Sequence, residues 1–556
     1  MSWLALLGLC GAAAVAARLA LRRDRQAFVL VPLCALGFLA WPGGLDPHES
    51  PITFVMLLAP LLAAAALLLV WLKRPALGAA GAVLALLCVY ALRLWLSARP
   101  GIGGTDFFAY VCFSRDSLDG VDLPQRFVYF PGVYLFWKAA LLAGHRSLGT
   151  LQWWSAAVLL LGAVLAGAIA GRASRSIFLG LGVAGLQLAL SLDLEGSRGM
   201  TEPLAVVPAL VGLALWAGAP LTPLNAAALG AGFGAAIYCK QQAALLAPGW
   251  LALVLLRLRT RDDSWRELLL VPAASALTLA ALFALSGGVD AFTAGLGLVR
   301  AYQPAGFPFL VNIDEARHRM TPLFGCFLLA LLGFLVLALR GDSSAQLRAA
   351  GVLLLGGASG LLQFRTRFYP HYALLPLPLM LCGVALIGHL LWLRLKAALP
   401  GALSEGALPL IFALALLGRA AARAELPVLS LQQKPETLED WPYPLGAAAE
   451  RLQELHLPPG EGAYVMPPVH DGAHFLLGTR AVGAREAYFW GSAHAGDALA
   501  AVSDARTRVV IVRPELPIDL ERQVCDDAGC REAFQRLPSL GYREALRTRD
   551  VLVFRR

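Results

Sequence analysis

Residues 52–72 read ITFVMLLAPLLAAAALLLVWL, without one charged side chain. Wound as a helix, a run of about 20 such residues spans the roughly 30 Å of hydrocarbon in a bilayer. Comparable apolar runs recur near 3–21, 27–42, 77–97, 149–171, 176–192, 203–219, 223–239, 241–256, 268–286, 322–339, 349–364, 371–393 and 406–419. The pattern predicts a polytopic α-helical membrane protein of about fourteen transmembrane helices. Composition agrees: 58% of the 556 residues are hydrophobic, 15% are charged, and the mean hydropathy is +0.66. A water-soluble domain has no means of covering that much apolar surface. The first run has no basic segment ahead of it, and Arg18, Arg22, Arg23 and Arg25 lie at its far end, so it reads as a retained helix rather than a cleaved leader.

The net charge of +9 is distributed in short turns and is not a nucleic-acid signal. Arg22, Arg23 and Arg25 follow the first run, Lys73 and Arg74 the third, and Arg172 and Arg175 the fifth. Arg257, Arg259, Arg261 and Arg266 follow the ninth, Arg340 and Arg348 border the turn after the eleventh, and Arg394 and Lys396 end the thirteenth. If the spans alternate, all these turns share one side. The positive-inside rule makes that side cytoplasmic, with both chain ends outside. The long polar segments, 98–148, 193–202, 287–321, 364–371 and everything after about 420, then face outward. The expected division is a membrane part, 1–420, and a small α/β extracytoplasmic domain, 421–556, in which short β-branched stretches such as RTRVVIV alternate with helical pattern. Most of the nine cysteines read as small buried hydrophobes; Cys525 and Cys530, in the polar tail, are candidates for pairing in an oxidising compartment.

Four polar stretches interrupt the hydrocarbon. The first, TDFFAYVCFSRDSLDG from Thr105, offers Asp106 at the lip of an apolar run. An aromatic band, Phe127, Tyr129, Phe130, Tyr134, Phe136 and Trp137, follows in 127–144 and predicts an amphipathic helix in the headgroup layer beneath that acid. Asp116, Asp119 and Asp122 read as cap and turn residues. The second stretch, DLEGSRGMTEP, holds Asp193, Glu195, Arg198 and Glu202; Glu202 directly precedes Pro203 at a helix start, where a carboxylate is favoured and is able to orient a sugar hydroxyl or meet a divalent ion. The third is Lys240 in IYCKQQAALLAPGW, either an interfacial anchor that snorkels or a phosphate ligand. The fourth, RTRFYPHY, crowds Arg365, Arg367, Tyr369, His371 and Tyr372, which suit a phosphate at a membrane face. In the tail, His470, Asp471 and His474 lack a fourth partner and the spacing of a metal site.

One acid and several cations on the outer face are equipment for moving a group off a lipid phosphate. The acid takes a proton from an acceptor hydroxyl, and the cations stabilise the charge left on the phosphate. The rival reading is a polysaccharide or lipid transporter or flippase of the cell envelope.

The loop TDFFAYVCFSRDSLDG with FVYFPGVY, the segment KQQAALLAP and the run FRTRFYPHYALLPLPLM also resemble the GT-C superfamily of integral membrane glycosyltransferases, protein-mannosyltransferase-like and aminoarabinose-transferase-like. The resemblance covers roughly 100–400. It implies a polyprenyl-phosphate-linked sugar as donor and a glycan, lipid or protein acceptor. It implies Asp106 as the catalytic acid of the first large outer loop, and Lys240, Arg365 and Arg367, with His371 and Tyr369, at the donor phosphate. Glu202, Glu195 and Arg198 would orient acceptor or sugar. It implies a bacterial inner membrane as the setting. No metal ligand set is assigned, and a divalent ion remains an open requirement. Two departures stand out: Phe107 follows Asp106 where many members pair two acids, and the loop follows the fourth run rather than the first.

Overall fold

The computed structural model describes residues 105–118 and 130–143, the greater part of 148–398 and the greater part of 454–556. The first four apolar runs and the run at 406–419 lie outside the described residues. Helix α1 is Thr105–Leu118, α2 is Gly132–Leu142 and α3 is Leu148–Ser174. Helix α4 is Thr201–Trp216 and α5 is Pro223–Cys239. A 3-10 helix, Gln241–Trp250, leads into α6, Leu251–Thr260, and α7 is Trp265–Leu285. Then come α8, Phe309–Arg319, α9, Leu323–Leu339, and α10, Ala345–Gly360. Two short 3-10 helices, Leu361–Arg365 and Pro370–Leu374, precede α11, Leu377–Ala398. Among the described residues, five segments are long and apolar enough to cross a membrane: Ala157–Ser174, Gln241–Leu258, Trp265–Leu285, Ala345–Arg365 and Leu377–Arg394.

Helices α3 to α11 share one large core, in which Trp216, Phe233, Phe327, Phe334 and Phe364 are buried, while α1 and α2 pack in a separate apolar cluster. The outward faces of α7 and α9 are apolar too: Leu277, Leu285, Leu329 and Leu339 are exposed. A helix apolar all round suits hydrocarbon on its outer side. The start of α5 is set by Thr222, whose hydroxyl accepts from the Asn225 amide, followed by Pro223 in the first turn. Along α5, glycines admit the neighbouring backbones. A Cβ on Gly230 would stand 2.2 Å from the Val271 carbonyl oxygen, and one on Gly234 would stand 2.3 Å from that of Ser275. The small residues let α5 and α7 approach backbone to backbone, which is how helices associate where burial from water gives no driving force.

The sequence places an interfacial aromatic platform at 127–144. In the structure, Phe130, Tyr134 and Trp137 are buried instead of forming a surface band. Trp137 meets Phe107 of α1 edge to face at 5.1 Å, and Phe130 meets Phe283 of α7 at 4.9 Å. Edge-to-face packing adds to the area these rings bury. Asp116, expected as a cap or turn residue, lies buried within the last turn of α1 beside Arg115.

Among the described residues toward the end of the chain is a five-stranded sheet of order β2-β1-β3-β5-β4. The strands are β1 Gly462–Met466, β2 Arg480–Ala481, β3 Val509–Val512, β4 Arg543–Arg547 and β5 Leu552–Arg555. β1 pairs in parallel with β2 and β3, while β5 runs antiparallel to both β3 and β4. The central VVIV of β3 is β-branched throughout and buries three of its four residues. Helices α12, Ala495–Ser503, and α13, Asp527–Arg536, cover one face through Ala498, Val502, Ala533 and Leu537.

Gly234→Leu is expected to lower the stability of the purified protein by about 1–3 kcal/mol or more, because the Ser275 carbonyl has no room to yield. Gly325→Ala in α9, where a Cβ meets nothing within 4 Å, is the control and should be neutral or stabilising. Thermal unfolding in detergent measures both.

Candidate functional site

Helix α5 ends at Cys239, and the chain restarts as a 3-10 helix at Gln241. Between them Lys240 is extended, with φ −152° and ψ 122°, so it caps one helix and opens the next. Its amide still donates to the Ala236 carbonyl at 3.0 Å, and its carbonyl accepts from the Ala243 amide at 2.9 Å. The break therefore leaves both backbone groups bonded. It throws the Lys240 side chain sideways into the protein, where only 2% of it is exposed.

There the ammonium meets the first turn of α4. Lys240 Nζ donates to Glu202 Oε1 at 2.5 Å and to Thr201 Oγ1 at 2.8 Å. Thr201 Oγ1 in turn donates to Glu202 Oε2 at 3.3 Å. The Glu202 side chain is 1% exposed. The ring of Tyr372 lies beside the cation, its centroid 5.4 Å from Nζ, close enough for a cation–π contact. His371 packs edge to face on Tyr372 at 5.0 Å and stands near enough to Glu202 to interact with it electrostatically. Both belong to the second helix break, between α10 and α11. That break is anchored by Gln363, which donates to the Tyr372 carbonyl at 2.6 Å, and by Asn312 of α8, which donates to the Phe364 carbonyl at 2.7 Å.

The structure thus brings together Lys240, Glu202, His371 and Tyr372, four of the residues singled out in the sequence, and adds Thr201. Lys240 does not snorkel. It is held in a fixed position by a carboxylate and a hydroxyl, both buried. Thr201 carried a signal that was overlooked, since it sits directly before the Glu-Pro pair that opens α4. Arg365 ends the first of the two 3-10 helices and is exposed. Asp106 is the second residue of α1, at the start of the helix rather than in the loop before it. Glu195, Arg198, Arg367 and Tyr369 lie outside the described residues, as do Cys525, His470 and Asp471. Among the described residues, no three of His, Cys, Asp and Glu stand close enough together to hold a metal ion.

A second polar junction joins α1 to the sheet. His474 is buried, and its Nδ1 pairs with Thr479 Oγ1 at 3.1 Å. Burial, reinforced by the charge of Arg115, pushes its imidazole down to about 3.

No protein-family model matches the sequence, and a comparison with curated proteins finds no match. Solved structures do match. ArnT from Cupriavidus metallidurans bound to undecaprenyl phosphate aligns over 85% of this chain and 98% of its own, with TM-score 0.53 and 16% identity. The same protein in its apo state gives TM-score 0.54 over 86% and 98%, again at 16% identity. The chain therefore shares the fold of ArnT. An archaeal oligosaccharyltransferase, AglB from Archaeoglobus fulgidus, aligns more loosely, at TM-score 0.45 and 14% identity over 78% of this chain and 69% of its own.

Two predictions follow from the geometry. Lys240→Met leaves the Glu202 carboxylate buried without its cation and should destabilise the protein by about 3–5 kcal/mol. Adding Glu202→Gln should recover most of that loss, as read by thermal unfolding of the single and double variants. The other concerns pH. The His474 ring takes a proton below about 6.5 when unfolded, and only near 3 when folded. Its contribution to stability is complete above that upper value and is lost as pH falls through the window. The protection of 474–481 against hydrogen exchange, taken relative to the intrinsic rate at each pH, should fall progressively across it, and His474→Asn should flatten the fall.

Proposed function

We propose that this protein is a membrane glycosyltransferase that moves a sugar from a polyprenyl-phosphate donor to an acceptor outside the cytoplasm. The observation that carries the reading is Lys240: a lysine buried in an apolar helical bundle, delivered by a break in a helix, and fixed by Glu202 and Thr201. An ionisable group so placed marks a substrate site. The fold it occurs in is shared with ArnT, a protein whose bound ligand is undecaprenyl phosphate. In this reading Lys240, Arg365 and Arg367 hold the donor phosphate, with His371 and Tyr369 completing its surroundings. Guanidinium groups suit the phosphate oxygens and stabilise charge as the bond to the sugar breaks.

Asp106 then serves as general base. Its carboxylate accepts the proton of the acceptor hydroxyl while that oxygen attacks the anomeric carbon, and the polyprenyl phosphate leaves from the opposite face with its bonding electrons. A single displacement of this kind inverts the anomeric centre. Glu195 and Arg198, in the turn before α4, orient the sugar or acceptor; Glu202 acts there by keeping Lys240 in place. The membrane part is 1–420, and 421–556 forms an extracytoplasmic α/β domain beside the acceptor. The setting is the bacterial inner membrane, and the acceptor is a glycolipid, a polysaccharide or a protein. The competing transporter reading predicts sugar-lipid movement without bond exchange.

Transfer of radiolabelled sugar from a prenyl-phosphate donor in purified membranes distinguishes them. Asp106→Asn should insert normally yet lose about 10²-fold or more of its transfer rate. Full activity in that variant removes Asp106 from the mechanism. Arg367→Ala should raise KM for the donor roughly tenfold and leave that for the acceptor within about twofold.

A further inference from the structure

Arg115 lies about two and a half helical turns beyond Asp106 on the same helix, α1. Its guanidinium reaches out of the helical part and into the segment between β1 and β2. One terminal nitrogen donates to the His474 carbonyl at 3.1 Å, and the other makes a short hydrogen bond to the Thr479 carbonyl. That second nitrogen also pairs with the buried carboxylate of Asp116 at 3.4 Å. The two carbonyls converge because the segment is closed on itself by the His474–Thr479 side-chain bond. Just beyond, Ala481 of β2 packs against the apolar cluster of Phe107, Tyr110 and Trp137, so the sheet touches α1 apolar to apolar as well.

A planar fork bonded to two carbonyls fixes direction as well as distance, which a lysine at the same place would not do. Asp116 keeps the cation oriented from within α1, and the side chain of Arg115 is 23% exposed against 7% for Asp116. The contact joins chain segments more than 350 residues apart, 359 for one bond and 364 for the other.

We propose that Arg115 is a positioning residue for the transfer reaction: it clasps the 474–481 segment of the sheet onto α1 and so fixes where α1, and Asp106 at its start, stands relative to the donor. The inference rests on the reading of Asp106 as general base. It gives the sheet a task in the reaction, since the segment between β1 and β2 becomes the support on which the acid-bearing helix is held. A displacement of the base by about 1 Å is enough to lower a rate about 10²-fold without touching substrate binding.

The experiment uses the full-length protein in detergent with a prenyl-phosphate sugar donor, with rates expressed per donor-binding site titrated on the same sample. Arg115→Ala is expected to lower kcat per site about 10- to 100-fold while KM for the donor stays within about twofold. Arg115→Lys should rescue only part of the loss. Amide exchange should rise together in 105–118 and 474–481. If Arg115→Ala proves too unstable to purify, the double variant His474→Ala/Thr479→Val opens the loop without altering α1, and the same fall in kcat is expected. An unchanged kcat per site, whether or not exchange rises, overturns the proposal; so does a fall confined to the number of donor-binding sites. Asp106→Asn run in parallel separates the two readings. Full activity there rejects the general base, while a fall in kcat for Arg115→Ala in the same assay still supports the clasp on α1.

Discussion

A lysine and a glutamate, each almost wholly removed from solvent, face one another where α4 meets the end of α5. Taking two charges out of water costs several kcal/mol per ion, and their attraction offsets that only when the geometry is close and the spare bonds are filled. Here the geometry is close, Thr201 bridges both partners, and the Tyr372 ring lies beside the cation. Four segments of chain are held by this one cluster: the first turn of α4, the end of α5, the 3-10 helix after it and the break between α10 and α11. Removing the first turn of α4 or the lysine at the end of α5 leaves a buried charge without its partner. The pair is therefore a constraint on register, as well as a local contact, and the helices around it must meet at one height.

They meet because two of them are broken. An unbroken α5 would have carried Lys240 on along the helix face instead of sideways, and an unbroken α10–α11 would have left no room for Tyr372 and His371 to turn inward. Broken helices in an apolar surrounding are sustainable only where the freed backbone groups find partners. In this structure the amide and carbonyl of Lys240 remain bonded to Ala236 and Ala243, and Asn312 and Gln363 satisfy carbonyls in the second break. The glycine face of α5 is the complementary device. It lets α5 lie against α7 at backbone distance, which stabilises a helix that stops short at Lys240.

Much of this was legible in the sequence, and the limits have physical causes. The apolar runs at 149–171, 203–219, 223–239, 268–286 and 322–339 coincide closely with α3, α4, α5, α7 and α9, because hydrocarbon length is a one-dimensional property. The run at 241–256 shows where that reasoning stops: its hydropathy is continuous, yet its first ten residues wind as a 3-10 helix. Glu202 and Lys240 were each visible as polar residues in the wrong company. That they are partners depends on a contact across 38 residues, which no local pattern encodes, so one was assigned to the acceptor and the other to the donor. The aromatics of 127–137 have the composition of a membrane-surface belt, but composition does not distinguish a ring turned to headgroups from one packed on Phe107 or Phe283. The mixed sheet was legible as short β-branched stretches and not as an order, since parallel and antiparallel neighbours use the same residues.

The pairing also bears on how a phosphate would be drawn in. Seen from a distance, Lys240 and Glu202 together are neutral, and a dipole attracts an anion only at short range. Two unit charges 4 Å apart in water attract by about 1 kcal/mol, so even a bare surface cation steers weakly unless several act together. Long-range attraction in the proposed reaction must then come from exposed cations, of which Arg365 is one, while the buried lysine acts after arrival. In the proposed reaction the exposed arginine would gather the lipid phosphate at the surface, and the lysine, already desolvated and already held, would offer a fixed donor that needs no reorganisation when charge develops on the leaving group.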